Sequence, residues 1–174
     1  MNATTLTNDQ LKALETADLL DIEFDEIPDA PDFVNPPEGI YLVDLKISQG
    51  DYERKVYENG EPTGETVDDF RFSINCVIKN ILDVQESALD EGETLPNIGD
   101  RFSNSYFGKQ GLQSLVGDTR ELAAALGVTK PRALLETLSE NAVEVIVALK
   151  RTRRKTKDGQ VFLGVKFESI QQNA

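Results

Sequence analysis

Histidine is absent from the 174 residues, which removes the commonest general base and the commonest transition-metal ligand. Cysteine occurs once, at Cys76, so an internal disulfide framework is excluded and a reducing cytoplasm is the expected compartment. Its place in the middle of an alternating strand marks it as a buried structural thiol, not a nucleophile. No apolar run approaches the length of a membrane span, and the N-terminus lacks the basic-then-apolar layout of a signal peptide. Carboxylates are plentiful but scattered: "DEGE" near residue 90 and "DIEFDE" near residue 21 lack the Gly-centred spacing of a calcium loop. "GKQGLQSLVG" lacks the Gly-Lys-Ser/Thr ending of a phosphate-binding loop. No catalytic site, cofactor or metal is expected.

Positive charge is also scarce, 18 Lys and Arg against 31 Asp and Glu, for a net charge of -13. Such an excess argues against nucleic acid, because phosphate binding depends on cations displacing counterions. The distribution overrides the sum. Residues 1–36 carry nine acids and one base, and residues 37–149 twenty acids and ten bases. Residues 150–174 carry seven bases and two acids, six of those bases within "KRTRRKTK". That segregation is the first pointer to function.

At this length one domain with its own core is expected, preceded by an arm. In residues 1–36, "TLTNDQLKALETADLL" predicts a short amphipathic helix with Leu11, Leu14 and Leu19 on one side. "DIEFDEIPDAPDFVNPP" mixes acids, isolated apolar residues and prolines, which blocks regular structure. Two readings stand for this arm: an extended segment docking a few apolar side chains, or an acidic tail.

From Gly39 the period is two. Tyr41, Val43, Leu45 and Ile47 alternate with polar neighbours, as do Phe70, Phe72, Ile74, Cys76 and Ile78. "QGDYERKVYENGEPTGET" between them reads as a long hairpin turning near "ENG" and "PTG". "RFSNSYF" is a third strand. Leu112, Leu115, Val116, Leu122 and Leu126 then recur at helical spacing, and a second short helix follows with Thr129 as cap and Pro131 in its first turn. Val143, Val145, Val147 and Leu149, then Val161, Leu163, Val165 and Phe167, form the two arms of a hairpin turning at Asp158-Gly159. The class is mainly β with helices. Five strands with helices between the third and fourth is the order of a five-stranded oligonucleotide/oligosaccharide-binding (OB) barrel over residues 37–174. An open α+β sheet is the alternative.

In an OB barrel the two long hairpins flank the binding face. Lys150, Arg151, Arg153, Arg154, Lys155 and Lys157 lie where the last hairpin outgrows its core, with Arg151 and Arg153 on the inward face and Lys150 and Arg154 on the other. Buried strands would not tolerate such charges, so the ribbon is expected to protrude and track a phosphate backbone. The first hairpin interleaves Tyr52 and Tyr57 with Arg54 and Lys55, which suits base stacking or, equally, cross-strand packing. Arg71 and Lys79 on the second strand could meet a strand lying across the face. Phe102, Tyr106, Phe107 and Phe162 are candidate stackers, at least half of which the core needs.

The succession "DAPDFVNPPEGIYLV", "RFSNSYF", "GLQSLVGDTRELAAALG" and "NAVEVIVALKRTRRKTKDGQVFLGVKF" resembles phage-encoded single-stranded DNA-binding proteins with an OB fold, over most of residues 30–170. The resemblance implies sequence-independent binding of single-stranded DNA in replication or recombination, without catalysis. Many such proteins end in an acidic tail that recruits replication partners, whereas this chain ends "SIQQNA". The acidic N-terminal arm is then the candidate for that role. The other reading is a phage structural or assembly protein whose basic hairpin docks on an acidic protein.

Overall fold

The structure, a computed structural model, describes residues 5–26 and 32–173, and the chain divides into two compact units, 1–31 and 32–174. In the first unit the expected single helix is broken into α1 (Asn8–Ala13) and α2 (Thr16–Leu19). Thr7 caps α1 reciprocally with Gln10, accepting from the Gln10 N–H at 3.2 Å and donating its own N–H to Gln10 Oε1 at 2.9 Å. The break falls at Leu14 and Glu15, both extended. The Glu15 N–H donates to the Asp18 carboxylate at 3.4 Å, a local bond that competes with continuing the helix. A short 3-10 turn spans Phe24–Glu26. Residues 27–31, which hold Pro28 and Pro31 of the arm, lie outside the described residues.

The second unit contains β1 (Gly39–Glu58), β2 (Glu61–Asp83), β3 (Arg101–Phe107), α3 (Gly108–Ala125), α4 (Pro131–Glu140), β4 (Val143–Lys155) and β5 (Val161–Gln172). The strands pair antiparallel in one sheet of order β3-β2-β1-β4-β5. The expected class, mainly β with helices between the third and fourth strands, therefore holds. Closure into a barrel does not follow: among the described residues no ladder joins β3 to β5, and the sheet is open. β3 has only seven residues, and residues 32–34 run parallel beside its start. The Arg101 N–H donates to Asp32 O and the Val34 N–H to Arg101 O, both at 2.8 Å. Side chains bridge the two edge strands instead, with α3 packed against both and the Phe102 and Phe167 rings 6.2 Å apart. Residues 32–36, assigned to the arm from composition, thus begin the sheet's own unit.

Alternation sets the faces. Tyr41, Val43, Leu45 and Ile47 on β1 and Phe72, Ile74, Cys76 and Ile78 on β2 are buried, facing Leu115 and Leu122 of α3 and Leu134 and Leu138 of α4 in one cluster. Each such side chain contributes about 1.5–3 kcal/mol when removed from water, so a one-residue slip that turned a strand's apolar set outward is strongly disfavoured. Leu112 and Leu126 are only partly buried against this cluster, and Phe70 is half-exposed beyond its edge. Lys130, not Thr129, occupies the cap position of α4, with Pro131 at its first residue.

The buried stretch of β1 ends at Ile47, yet β1 and β2 continue as a two-stranded ribbon to a turn at Asn59 (φ 52°) and Gly60 (φ 82°). Positive φ at both positions is what a tight hairpin turn requires, hence the Asn-Gly pair. β4 outruns β1 in the other direction. Gly39 pairs with Leu149, so Lys150 to Lys155 run past the beginning of β1 with only β5 beside them. The sheet therefore carries one ribbon at each end.

Candidate nucleic-acid interface

The β4–β5 ribbon has two unlike faces. On the face continuing the core, Arg151, Arg153 and Lys155 pair across the ladder with Val165, Leu163 and Val161. The Arg151 side chain is only 5% exposed. Its guanidinium grips both oxygens of Glu93 (Nη1 to Oε2, 2.8 Å; Nη2 to Oε1), donates to Asn35 O, and lies 3.6 Å from Asp90. Arg153 pairs with Asp90. The bidentate fork is the strong form of this contact. Donation from Arg151 holds the Glu93 carboxyl down to about 2, and the same pair raises Arg151 above its ordinary value. Arg151, expected to track phosphate, is instead a buried clamp between the β2–β3 connection and the ribbon, because two carboxylates distant in sequence reach it. Arg153 is half-exposed but already engaged.

The opposite face is free of that loop. Here Lys150, Thr152 and Arg154 pair with Lys166, Gly164 and Phe162. Lys150 meets Glu168 at 3.0 Å, with both side chains substantially exposed. Among the described residues, no carboxylate lies within ion-pair distance of Arg154, Lys166, Lys155 or Lys157, all exposed. Phe162 is 55% exposed directly across from Arg154.

The same outward face crosses β1, β2 and β3 as a strip of small polar groups. Ser48, Ser73 and Ser105 stand in one row, and Lys46, Asn75 and Ser103 in the next. Ser73 and Ser105 share a hydrogen bond of 3.2 Å, and Asn75 Nδ2 donates to Ser48 Oγ at 3.1 Å. Arg71 and Lys46 are exposed at its rim without ion pairs among the described residues, whereas Lys79 is bound to Glu144 (2.7 Å) and Asp44 (3.7 Å).

At the root of the β1–β2 ribbon, Tyr52 packs edge-on against Phe107, ring centres 5.1 Å apart at 72°. Phe107 remains 50% exposed. Arg54 Nε donates to Asp69 Oδ2 at 3.2 Å. Gly108, at φ 65°, starts α3 so close that a Cβ there would sit 3.0 Å from Asp69 Oδ2. These residues with Lys109 and Gln110 line an open cavity of about 540 Å³. Farther out, Lys55 and Tyr57 are exposed, Tyr57 opposite Pro62.

Tyr106 is no stacking residue. It is 6% exposed, its hydroxyl donates to Asp118 Oδ2 at 2.6 Å, and burial followed by that carboxylate raises its pKa. Phe102 is also core, while Phe107 and Phe162 face outward. Cys76 is buried, and desolvation pushes its thiol up. Lys166 and Lys46 are exposed cations of this face that lie outside the basic run in the sequence. Ladder register from the Asp158-Gly159 turn is the signal that places Lys166 beside Lys150. Nothing local to "DEGE" marks Asp90 and Glu93 as the partners of Arg151. No group of His, Cys, Asp or Glu among the described residues is arranged to hold a metal, and no described helix is long and apolar enough to cross a membrane. Comparison with protein-family models, curated proteins and solved structures gives no match to this chain.

Proposed function

We propose that this protein binds single-stranded DNA without catalysis, on the outward face of the sheet and of the β4–β5 ribbon, as a replication or recombination protein of the phage-encoded kind. The observation that carries the reading is the asymmetry of the ribbon. Arg151 and Arg153 on its inner face are neutralised by Asp90 and Glu93, while Arg154 and Lys166 on the outer face, and Lys155 and Lys157 at the tip, stay unpaired among the described residues, with the exposed Phe162 ring across from Arg154. A ribbon needing only solubility would have no use for Phe162, and one built to close on its own chain would not leave its outer face cationic. Cations beside exposed aromatics suit a polyanion whose bases have free π-faces. The strand order supports the same reading, since β3-β2-β1-β4-β5 is the OB connectivity opened at the β3–β5 seam. The acidic first unit would oppose non-specific adhesion to duplex DNA and contact replication or recombination proteins.

Titration of a fluorescent single strand at rising salt tests this. Affinity should fall with a log–log slope of about -0.7 per phosphate contact, and charge reversal at Arg154, Lys155 and Lys157 should flatten that slope. Absence of binding at low salt would refute it. One observation favours a second reading, docking on an acidic protein: Asp90 and Glu93 already show that these arginines accept carboxylates. That reading requires a poly-glutamate competitor to bind as well as DNA does and Phe162 to be dispensable.

A further inference from the structure

The cavity at the root of the β1–β2 ribbon differs in chemistry from the rest of the face. The remainder offers cations, hydroxyls, the Asn75 amide and the lone Phe162 ring, and its carboxylates at Asp44, Glu144 and Glu168 are taken up by Lys79 and Lys150 with no exposed ring shown beside them. Here a half-exposed aromatic edge (Phe107, steadied by Tyr52) stands beside a carboxylate, with Lys109 and Arg54 on the rim. Asp69 Oδ1 accepts the Phe70 N–H at 2.8 Å and Oδ2 accepts Arg54 Nε. Two bonds leave lone pairs unused on a carboxylate that offers about four acceptor sites. The side chain keeps 22% of its surface exposed. Arg54 fixes its orientation, and the glycine at 108 keeps α3 from covering it.

We infer that this cavity takes one nucleobase of the bound strand, stacked on Phe107, and that Asp69 selects bases bearing an exocyclic amine over those presenting only a carbonyl at that edge. The inference rests on the single-strand reading above and adds a base preference to otherwise uniform binding. A carboxylate accepts from the N4 amine of cytosine but repels the O4 carbonyl of uracil. These two bases differ at that position while sharing ring size and the absence of a methyl group. Lys109 and Arg54 lie where the flanking phosphates of such a base would need neutralising.

The test measures affinities of oligo-dC and oligo-dU of equal length, at matched salt, for the whole chain and three variants. The whole chain should favour oligo-dC by about fivefold, the worth of one partly solvated hydrogen bond to a charged group. Asp69→Asn keeps one acceptor oxygen for Arg54 but loses the charge and the second acceptor, and should erase the preference for oligo-dC, even if loss of a negative charge strengthens both. Glu53→Gln removes an equal charge from the other face of the ribbon and should leave the ratio unchanged. Phe107→Ala should weaken both oligomers and compress the ratio. Equal affinities in the whole chain, or an Asp69→Asn ratio still favouring oligo-dC, would overturn the base pocket while leaving single-strand binding intact. Failure to bind either oligomer would overturn both.

Discussion

Replacing Arg151 with Met separates a cation that holds the fold from one that holds a ligand. Met keeps much of the stem's volume and deletes the fork on Glu93, the contact with Asp90 and the bond to Asn35 O. Breaking a buried pair from one side costs about 3–5 kcal/mol when the abandoned charge stays dry. Glu93 keeps 24% and Asp90 45% of side-chain exposure, so water rehydrates much of what is left. A cost of about 2 kcal/mol is the expected result after that discount. In a domain of this size it corresponds to a fall in Tm of about 4–8 °C. Urea and thermal denaturation followed by circular dichroism would read both. The acid limb is a second check. Glu93 moves from 4.5 to about 2 on folding, so its contribution is complete above 4.5 and is lost as pH falls toward 2. Wild type should therefore lose its advantage over R151M across that window. At neutral pH the folded variant should bind single strands nearly as well as wild type. A variant as stable as wild type, an advantage undiminished in acid, or a DNA affinity that falls as far as on removing Arg154 would refute this assignment.

Phe162→Ala should weaken single-strand binding by about 1–3 kcal/mol, the worth of one stacked base, with Tm unchanged because the ring is exposed; fluorescence titration and a melting curve on one preparation decide it. Tyr106→Phe should cost about 1–2 kcal/mol by leaving Asp118 without its donor, while DNA affinity stays constant; a drop in affinity at unchanged stability would contradict its place in the core. The Cys76 thiol, buried and shifted upward, should react with iodoacetamide only at the rate of unfolding, and fast labelling of the native protein would show that β2 opens locally.

Much of the sheet is legible in the sequence because alternation is a local signal. Tyr41 to Ile47, Phe72 to Ile78 and Val145 to Leu149 point inward as their period requires, and Asn59-Gly60 turns as its dihedral freedom suggests. Parity also places Arg151 and Arg153 opposite Lys150 and Arg154. The fates of Arg151, Arg153 and Lys79 are not legible, because each hydrogen-bonds a partner 58 or more residues away. Arg151 is spent on Glu93 and Asn35, and Lys79 on Glu144. Barrel closure failed as an expectation for a related reason. Strand order is local, but the pairing of β3 with β5 is decided by edges, and residues 32–34 lie beside the start of β3. Tyr106 and Phe107 are neighbours with opposite fates because one residue reverses the face of a strand.

The Arg151 clamp also has a kinetic meaning. Its bonds join positions separated by 116 and 58 residues, so they close long loops in the second unit. Loop-closure entropy makes such contacts late, formed only once β1, β4 and the β2–β3 connection have already come together. Interactions absent from the transition state leave the folding rate alone and slow the reverse step. The clamp then acts as a latch: the ribbon reaches its place without it, and what the latch sets is how long the ribbon stays there.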